Sequence, residues 1–381
     1  MLSGKNDLRN CLICMGGEET ESIDQVKQSL PYALECNINY FADIMRALSS
    51  SLPDFEHYTF VFTRSVTELP AKFNNQPNVV VFIMGDEWAR VPTYADRVHA
   101  IFKAPGQDMK LAFHRNWWRF NAMALVQYTR QQAKRFPHHY RNVSKNIFAI
   151  PYGYYRLPER DRVTPINERK IDASFTGSVD HRKVLGGLIK TNKVLSRERM
   201  VQTVDNWKQG KPYNVDVKLS TFFPKATDTP EFDDYPTILM DTKICLSPRG
   251  THLETYRLCE GMYYGCIVIA EAQPAHWFAE GSPAFIIDDW TTLPDLLDQL
   301  LADPERMQEL QKAALQYWDN VLAPHAVSAH ISSCLAPLAD RVETMSGSNM
   351  PGALNGANSS EAKNKSDAFA ASGMSDTDKA A

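Results

Sequence analysis

The chain has 381 residues, more than one ordinary hydrophobic core supports, so two domains are expected. Hydrophobic residues make up 44% and charged residues 23% of the sequence, as is typical of a globular protein. The formal net charge of −4 argues against a protein that binds nucleic acid mainly through phosphate contacts, so no nucleic-acid partner is expected.

The membrane and redox signals of the sequence are weak. No apolar run approaches the ~20 residues that a membrane-spanning helix needs, and the first residues lack the apolar core of a signal peptide. Seven cysteines, most of them in apolar runs, favour buried thiols in a reducing compartment. Cys11 and Cys14 form a Cys-x-x-Cys pair without a second pair or nearby histidines, which we interpret as structural. We therefore expect a cytoplasmic protein with at most peripheral contact at the cytoplasmic face of a membrane.

The first half of the chain alternates strand-like and helix-like segments. Predicted strands cover 10–15, 58–62, 78–84, 99–103 and 146–150. Predicted helices cover 32–48 and 117–135, where apolar residues recur at spacings of three and four. The run 78–84 is apolar throughout, as a strand buried on both faces of a parallel sheet should be. This alternation predicts an N-terminal α/β domain, 1–155, with helices on both faces of its sheet.

A second alternating series follows a linker rich in Pro, Tyr and Arg at 151–164. Predicted strands cover 171–176, 215–219, 244–246, 266–270 and 284–287. Predicted helices cover 184–196, 236–241, 253–264, 293–301 and 304–318. We interpret 165–343 as the C-terminal domain. Residues 344–381 are small and polar and cannot bury enough apolar surface to offset their ordering entropy, which predicts a disordered tail.

The segment 243–270 (KICLSPRGTHLETYRLCEGMYYGCIVIA) carries the strongest functional signal. An apolar strand leads into a Pro-Arg-Gly turn, then a helix with Arg257 and Glu260, then a second strand. In open α/β sheets ligands bind at the carboxyl ends of strands, and a helix N-terminus suits phosphate. Arg257 and Glu260 fall on the helix face opposite the sheet and could form a surface ion pair. Their place after the turn favours a nucleotide-diphosphate ligand instead.

The same segment resembles the signature of the exostosin-type glycosyltransferases, which have Leu-x-Pro-x-Gly, Ser-Phe-Arg-x-x-Glu and Gly-Cys-Ile-Pro-Val. The matching residues are Leu246, Pro248, Gly250, Thr255, Tyr256, Arg257, Glu260, Gly265, Cys266, Ile267 and Ile269. Val268 stands where the family usually has proline. The resemblance covers about 243–285. Some members of the family are anchored in a membrane, whereas no anchor is expected for this chain.

A second segment, 173–183 (ASFTGSVDHRK), resembles a phenylalanine–glycine segment of the same family. Gly177 would let the backbone approach a phosphate, and Arg182 would pair with it in a bidentate manner. The alternative is a glycine turn before a solvated, basic helix start.

Two adjacent carboxylates, Asp86 and Glu87, follow the buried strand 78–84 and are the candidates for an acceptor-side base. Burial and a neighbouring like charge would raise one pKa and improve a base near neutrality. Both could equally cap the next helix. His114 and Arg115 are further candidates, and residues 150–154 also resemble a segment of soluble exostosin-like relatives.

Together the residues and the resemblance imply an α/β protein with two Rossmann-like, doubly wound domains facing a cleft, the arrangement called GT-B. The expected activity is inverting transfer of a sugar from a nucleotide-diphosphate sugar to a hydroxyl of a glycan, lipid-linked or protein-linked acceptor. No cofactor is expected. Adjacent aspartates at 233–234 and 288–289 lack the Asp-x-Asp pattern of a metal site, so metal-independent chemistry is expected too. A non-catalytic nucleotide- or glycan-binding module and a sugar-nucleotide epimerase are the alternatives.

The resemblance also implies the donor-binding roles. Glu260 would hold the ribose hydroxyls, while Arg182, Arg249 and Arg257 neutralise the diphosphate. The backbone from Gly250 to Thr255 would help to cradle it. The full donor-binding set is Gly177, Arg182, Ser247, Arg249, Gly250, Thr255, Arg257 and Glu260.

Overall fold

The computed structural model describes residues 8–15, 18–22, 38–106, 111, 113, 117–139, 146–154, 160, 162–179, 190–220 and 234–346. Arg182, His114 and Arg115 lie outside these ranges, as do residues 347–381. Of the tail predicted from 344, the first three residues belong to the last helix, and the remainder lies outside the described residues.

The N-terminal sheet has six strands in the order β2-β1-β3-β4-β5-β6. They are β1 (Cys11–Met15), β2 (Glu18–Ser22), β3 (Thr59–Thr63), β4 (Gln76–Met84), β5 (Val98–Ala104) and β6 (Ile147–Ala149). All neighbours pair in parallel except β2, which pairs antiparallel to β1 at the edge. The five predicted strands are confirmed, with ends shifted by one or two residues. The sequence of β2, EETES, has no apolar alternation, which is why it was not predicted.

The C-terminal sheet has five parallel strands in the order β11-β10-β9-β7-β8. They are β7 (Ile171–Ser178), β8 (Val215–Ser220), β9 (Thr242–Ser247), β10 (Ile267–Glu271) and β11 (Phe285–Ile287). From β7 the chain adds β8 on one side and then returns to add β9 on the other. The strand order therefore reverses between β7 and β9, and a crevice opens at their carboxyl ends.

Eight α-helices are described: α1 (Ile38–Ser51), α2 (Trp118–His139), α3 (Asn192–Trp207), α4 (Tyr235–Met240), α5 (Tyr256–Tyr263), α6 (Leu293–Leu301), α7 (Pro304–Tyr317) and α8 (Pro324–Ser346). The predicted end of the helix at 196 is wrong, because α3 continues to Trp207. Thr191 accepts a hydrogen bond from Val194 N at its start, and its later turns bury Met200, Val204 and Trp207. Helix α8 had no prediction.

Both sheets are covered on both faces, as the doubly wound prediction requires. In β4, Val80, Phe82 and Met84 belong to one buried cluster, while Val79, Val81 and Ile83 belong to another. In β10, alternate residues likewise enter two different clusters. This alternation confirms the predicted fold class of two Rossmann-like α/β domains.

The two halves of the chain share one continuous core. Helix α8 packs on α1, although it falls in the range predicted as the C-terminal domain. Tyr40 of α1 donates a hydrogen bond from Oη to the Leu322 carbonyl at 2.6 Å, and its ring lies 5.2 Å from that of Tyr154. Tyr152 packs on Tyr256 of α5 at 4.6 Å. The N-terminal sheet and the helix carrying Arg257 are thus held together by aromatic side chains.

The six described cysteines form no disulfide, and all but Cys334 are buried; Cys36 lies outside the described residues. Within the described ranges, no group of three or more His, Cys, Asp or Glu side chains is arranged to hold a metal ion. No described helix is both long and apolar enough to cross a bilayer.

Candidate functional site

The loop 248–255 joins β9 to α5 and lies at the crevice between β7 and β9. Ser247, the last residue of β9, places its Oγ 2.7 Å from Oγ1 of Thr255, the residue before α5. Both side chains are buried, so this hydrogen bond closes the loop at its base. Gly250 lies at the open part of the loop, where an added Cβ would meet nothing nearer than 3.4 Å.

Arg257, on the first turn of α5, reaches from the helix to the end of β7. Its Nε donates to the Thr176 carbonyl at 2.7 Å, and Nη2 donates to the same oxygen. The guanidinium lies 4.9 Å from the ring centroid of Phe175. A Cβ at Gly177 would collide with this guanidinium. The need for glycine at this position is therefore explained by the Arg257 side chain, whereas the sequence analysis explained it by the approach of a phosphate.

A second arginine, Arg197 of α3, joins the two strand ends and was missed in the sequence. Its Nη1 donates to the Ser178 carbonyl at 2.6 Å, and its Nε donates to the Arg249 carbonyl at 3.1 Å. The side chain is 4% exposed. The signal was present, because Arg197 shares the face of α3 that carries Val194 and Met200. A charged residue on an apolar helix face indicates a buried polar role.

Arg249 completes a group of three guanidinium side chains, which we call the arginine cluster: Arg197, Arg249 and Arg257. Arg249 is 6% exposed, and its guanidinium donates long hydrogen bonds of 3.4 Å to the carbonyls of Gly250 and Thr251. Among the described residues, no carboxylate lies within 4.0 Å of any of the three guanidinium groups.

The electrostatics of the arginine cluster favour an anion. Burial, and then the charge of Arg257, lower the pKa of Arg197 well below its ordinary value. Burial also lowers the pKa of Arg249, against the opposing charge of Glu271. Both shifts mean that folding disfavours these positive charges, and a bound anion would relieve that cost.

Glu260 lies one turn beyond Arg257 and faces the protein interior. It is 2% exposed, and Tyr235 donates a hydrogen bond from Oη to Glu260 Oε2 at 2.7 Å. The predicted helix face is therefore wrong for Glu260, because α5 turns Gly261 toward the sheet, where a Cβ would meet Val268. The alternative of an Arg257–Glu260 surface ion pair is not observed, since each residue has other partners.

Asp86 follows β4 and is held in a buried ion pair. Lys103 Nζ lies 2.8 Å from Oδ2 and Arg90 Nε lies 2.9 Å from Oδ1, with both the Asp86 and Lys103 side chains fully buried. Arg90 also donates its backbone N–H to Oδ2 at 2.7 Å. Burial alone would raise the pKa of Asp86, but the two cations outweigh it and the pKa is lowered. The rise expected for one of the two carboxylates therefore does not occur at Asp86.

Glu87, the second predicted base, is exposed. Burial is the main reason that the pKa of Tyr152 is raised, with Tyr256 and Glu87 adding to it. The charge of Glu87 also acts on Arg197 of α3. The charge of Glu87 therefore reaches residues of both halves of the chain.

A cavity of about 540 Å³ adjoins the loop 248–255 on the side that the arginines do not line. Glu254 and Thr255 contribute from the loop, and Tyr152 contributes from the N-terminal half. The other lining residues are Leu258, Cys259, Gln273, Pro274, Ala275, His276, Trp277, Phe278, Ala279, Glu280, Ser282 and Ile286. The arginine cluster and this cavity thus share a loop but have separate walls.

His252 on the same loop makes the stability of the protein depend on pH. Burial lowers its pKa from 6.5 to about 4, and Glu254 opposes the shift only in part. The unfolded chain therefore binds a proton between pH 6.5 and about 4 that the folded protein does not. We expect the free energy of unfolding to fall by about 3 kcal/mol as pH drops through this window.

Chemical denaturation at pH 7 and pH 4.5 measures this effect. His252→Gln should remove most of the pH-dependent loss, whereas His57→Gln, which replaces a histidine with an 82% exposed side chain, should leave it unchanged. Equal pH slopes in the wild type and His252→Gln would contradict the assignment.

No family model matches the chain, and no curated protein matches it. Solved structures with partial similarity include a GtfA/B complex at 14% identity and TM-score 0.36, which covers 69% of this chain and 57% of that one. TarM follows at 12% identity and TM-score 0.35, with 69% and 56% covered. The glycosyltransferase SnogD from Streptomyces nogalater has 10% identity and TM-score 0.32, with 81% and 82% covered. The chain spans a little over half the length of the first two, and similarity at this level carries no argument about activity.

Proposed function

We propose that the protein transfers a sugar from a nucleotide-diphosphate sugar to an acceptor hydroxyl. One observation carries the proposal: three arginines converge at the point where the strand order reverses, with no carboxylate within 4.0 Å among the described residues. A pyrophosphate offers several anionic oxygens to such donors. The crevice at a strand-order reversal is also where open α/β sheets bind nucleotides.

The proposed reaction assigns a role to each part of the site. The arginine cluster would stabilise the negative charge that develops on the leaving diphosphate, without the need for a metal. Glu260, oriented by Tyr235, would bind the ribose, and the resemblance to exostosin-type enzymes supports this role and inversion. The acceptor oxygen would form a bond to the anomeric carbon as the bond to phosphate breaks. Asp86 already has two cationic partners, so of the two carboxylates predicted from the sequence only Glu87 is left as a candidate base.

Titration of UDP and GDP into the purified protein tests donor binding. Arg257→Gln should weaken binding of the preferred diphosphate by about 10- to 100-fold, because a charge-assisted hydrogen bond contributes about 1.5–3 kcal/mol. Glu260→Gln should weaken nucleoside diphosphate more than inorganic pyrophosphate, since only the former has a ribose. Unchanged affinity in both variants would contradict the donor site.

Incubation with a panel of nucleotide sugars, with and without candidate acceptors, tests the activity. Release of a nucleoside diphosphate supports transfer or hydrolysis. Binding with no turnover indicates a binding module, and an isomerised donor sugar indicates an epimerase. Either of the last two results would overturn the proposed transferase.

Gly177→Ala provides a test that depends on geometry alone. The new Cβ would displace the Arg257 guanidinium, so nucleoside diphosphate affinity should fall about tenfold while the fold is retained. In an Arg257→Gln background the same substitution should have almost no further effect on binding. Additive losses in the double variant would show that Gly177 acts through something other than Arg257.

A further inference from the structure

Glu254 is a buried carboxylate that the proposed donor site does not use. It is 7% exposed, and neither of its oxygens has a hydrogen-bond partner among the described residues. His276 Nε2 lies 2.9 Å from Oε1 but is not aligned for a hydrogen bond, and His252 Nδ1 lies 3.9 Å from Oε2. Buried carboxylates almost always accept hydrogen bonds, so Glu254 lacks a donor that a ligand could supply.

Glu254 is one of the residues that line the 540 Å³ cavity, its two carboxylate oxygens are themselves buried, and most of the lining surface is apolar. Leu258 from α5, Trp277 and Phe278 from the loop after β10, and Ile286 from β11 contribute to this apolar surface. A volume of this size, with mainly apolar surface and the polar side chains of several other lining residues, is typical of a small-molecule site. The cavity therefore suits a molecule with an apolar body and a hydroxyl group.

We propose that this cavity binds the sugar acceptor and that Glu254 accepts the proton of the acceptor hydroxyl. The inference rests on the proposed transferase function and names its acceptor class, a hydroxyl-bearing molecule with an apolar segment. His276, whose Nε2 lies 2.9 Å from Oε1, is a positioning residue for this carboxylate.

The position of Glu254 in the chain connects the cavity to the donor site. Glu254 directly precedes Thr255 and lies three residues before Arg257, so the acceptor hydroxyl would meet the donor beside the arginine cluster. The proton of the hydroxyl passes to Glu254 as its oxygen bonds to the anomeric carbon. The bond from that carbon to the diphosphate breaks, and its electron pair leaves with the phosphate.

The two carboxylates predicted from the sequence are less suited to this step. Asp86 is fixed by Lys103 and Arg90. Glu87 is exposed to water, whereas both carboxylate oxygens of Glu254 are buried. A base in a site that excludes water favours transfer over hydrolysis of the donor.

Calorimetric titration with hexyl β-D-glucopyranoside, which joins an apolar chain to hydroxyls, tests the cavity without any donor. The wild type should bind it, and Leu258→Trp, which fills the cavity, should weaken binding at least tenfold. Leu125→Trp changes a residue that is 48% exposed on α2 and should bind as the wild type does. Equal binding by all three proteins would overturn the acceptor site, and equal binding of glucose and the hexyl glucoside would overturn the apolar acceptor class.

Turnover with the donor sugar found by the panel tests the base. Glu254→Gln should lower kcat at least 100-fold while nucleoside diphosphate affinity stays unchanged, because general-base catalysis contributes about 10²–10⁴ in rate. Glu305→Gln alters an exposed carboxylate on α7, outside the cavity lining, and should retain activity. A large loss in Glu87→Gln together with an active Glu254→Gln would overturn the assignment.

The two proposals fail in different ways. If the wild type binds no nucleoside diphosphate, the transferase proposal fails, and the glucoside titration still decides whether the cavity is a binding site. If nucleoside diphosphate binds but the glucoside does not, only the acceptor site fails. Should Glu254→Gln not fold, the Leu258→Trp comparison still decides the site.

Discussion

Lys103→Met is expected to lower the free energy of unfolding by about 3–5 kcal/mol, the largest stability effect that we predict. Lys103 Nζ lies 2.8 Å from Asp86 Oδ2, and both side chains are fully buried. The ammonium also donates to the Arg90 carbonyl at 2.6 Å. Its removal leaves the Asp86 charge in a medium of low dielectric with only Arg90 to balance it. Urea unfolding at pH 7 measures the loss.

Lys190→Met is the matched control, because Lys190 pairs with Glu198 at the surface, where both side chains are at least 38% exposed. Its loss should be under about 1 kcal/mol. Replacing Asp86 and Lys103 together by Leu and Met should recover much of the lost stability, since a buried ion pair is often no better than apolar packing. A single-variant loss below about 1 kcal/mol would contradict the structural role of this pair.

The Asp86 pair also predicts how stability responds to acid. The pKa of Asp86 is lowered in the folded protein, so its contribution is fully present above its unfolded pKa of about 3.9. That contribution is lost as pH falls through the lower, folded-state pKa. The acid-induced loss from Asp86 therefore begins below the window in which His252 acts, and unfolding titrations of Lys103→Met should show it reduced.

Arg197→Met is expected to reduce nucleoside diphosphate affinity by about 10- to 100-fold, with little change in the stability of the ligand-free protein. Arg197 is buried beside Arg257, which disfavours its charge, so its removal relieves a repulsion even as two hydrogen bonds to carbonyls are lost. If burial of these arginine charges destabilises the protein and a bound anion relieves that cost, the variant should lose binding without losing stability.

Arg199→Met is the control for this experiment. It lies two residues away on α3 and forms an ion pair with Asp289 at 3.2 Å, so it has no need of a ligand anion. Its nucleoside diphosphate affinity should match the wild type. The arginine cluster would lose its proposed role if Arg197→Met bound as tightly as Arg199→Met, and a structural role would be indicated if Arg197→Met unfolded.

Strand positions were predictable because their local pattern is strong. The apolar run within β4 and the alternating series of the C-terminal half needed no knowledge of distant contacts. The loop between β9 and α5 was also predictable, since proline, glycine and a hydroxyl residue mark its turn and helix start. Such signals lie within a few residues of the structure that they determine.

Partners of charged groups were not predictable from the sequence. Asp86 pairs with Lys103, 17 residues away, because parallel neighbours β4 and β5 bring these positions together. Arg197 reaches Arg249 over 52 residues because the strand order reverses between β7 and β9. Local pattern cannot report contacts set by strand order, so the lowered pKa of Asp86 was not predicted.

Taken alone, the order of residues determined the two α/β domains, their strands and the turn at which Arg257 and Glu260 stand, because backbone preferences and apolar spacing act locally. Only the tertiary structure decided which charges are already satisfied and which still lack a partner. Asp86 is satisfied by two cations, whereas the guanidinium groups of the arginine cluster have no carboxylate within 4.0 Å and the oxygens of Glu254 accept no hydrogen bond among the described residues. Burial and pairing depend on contacts between distant segments, and those contacts exist only in the folded protein.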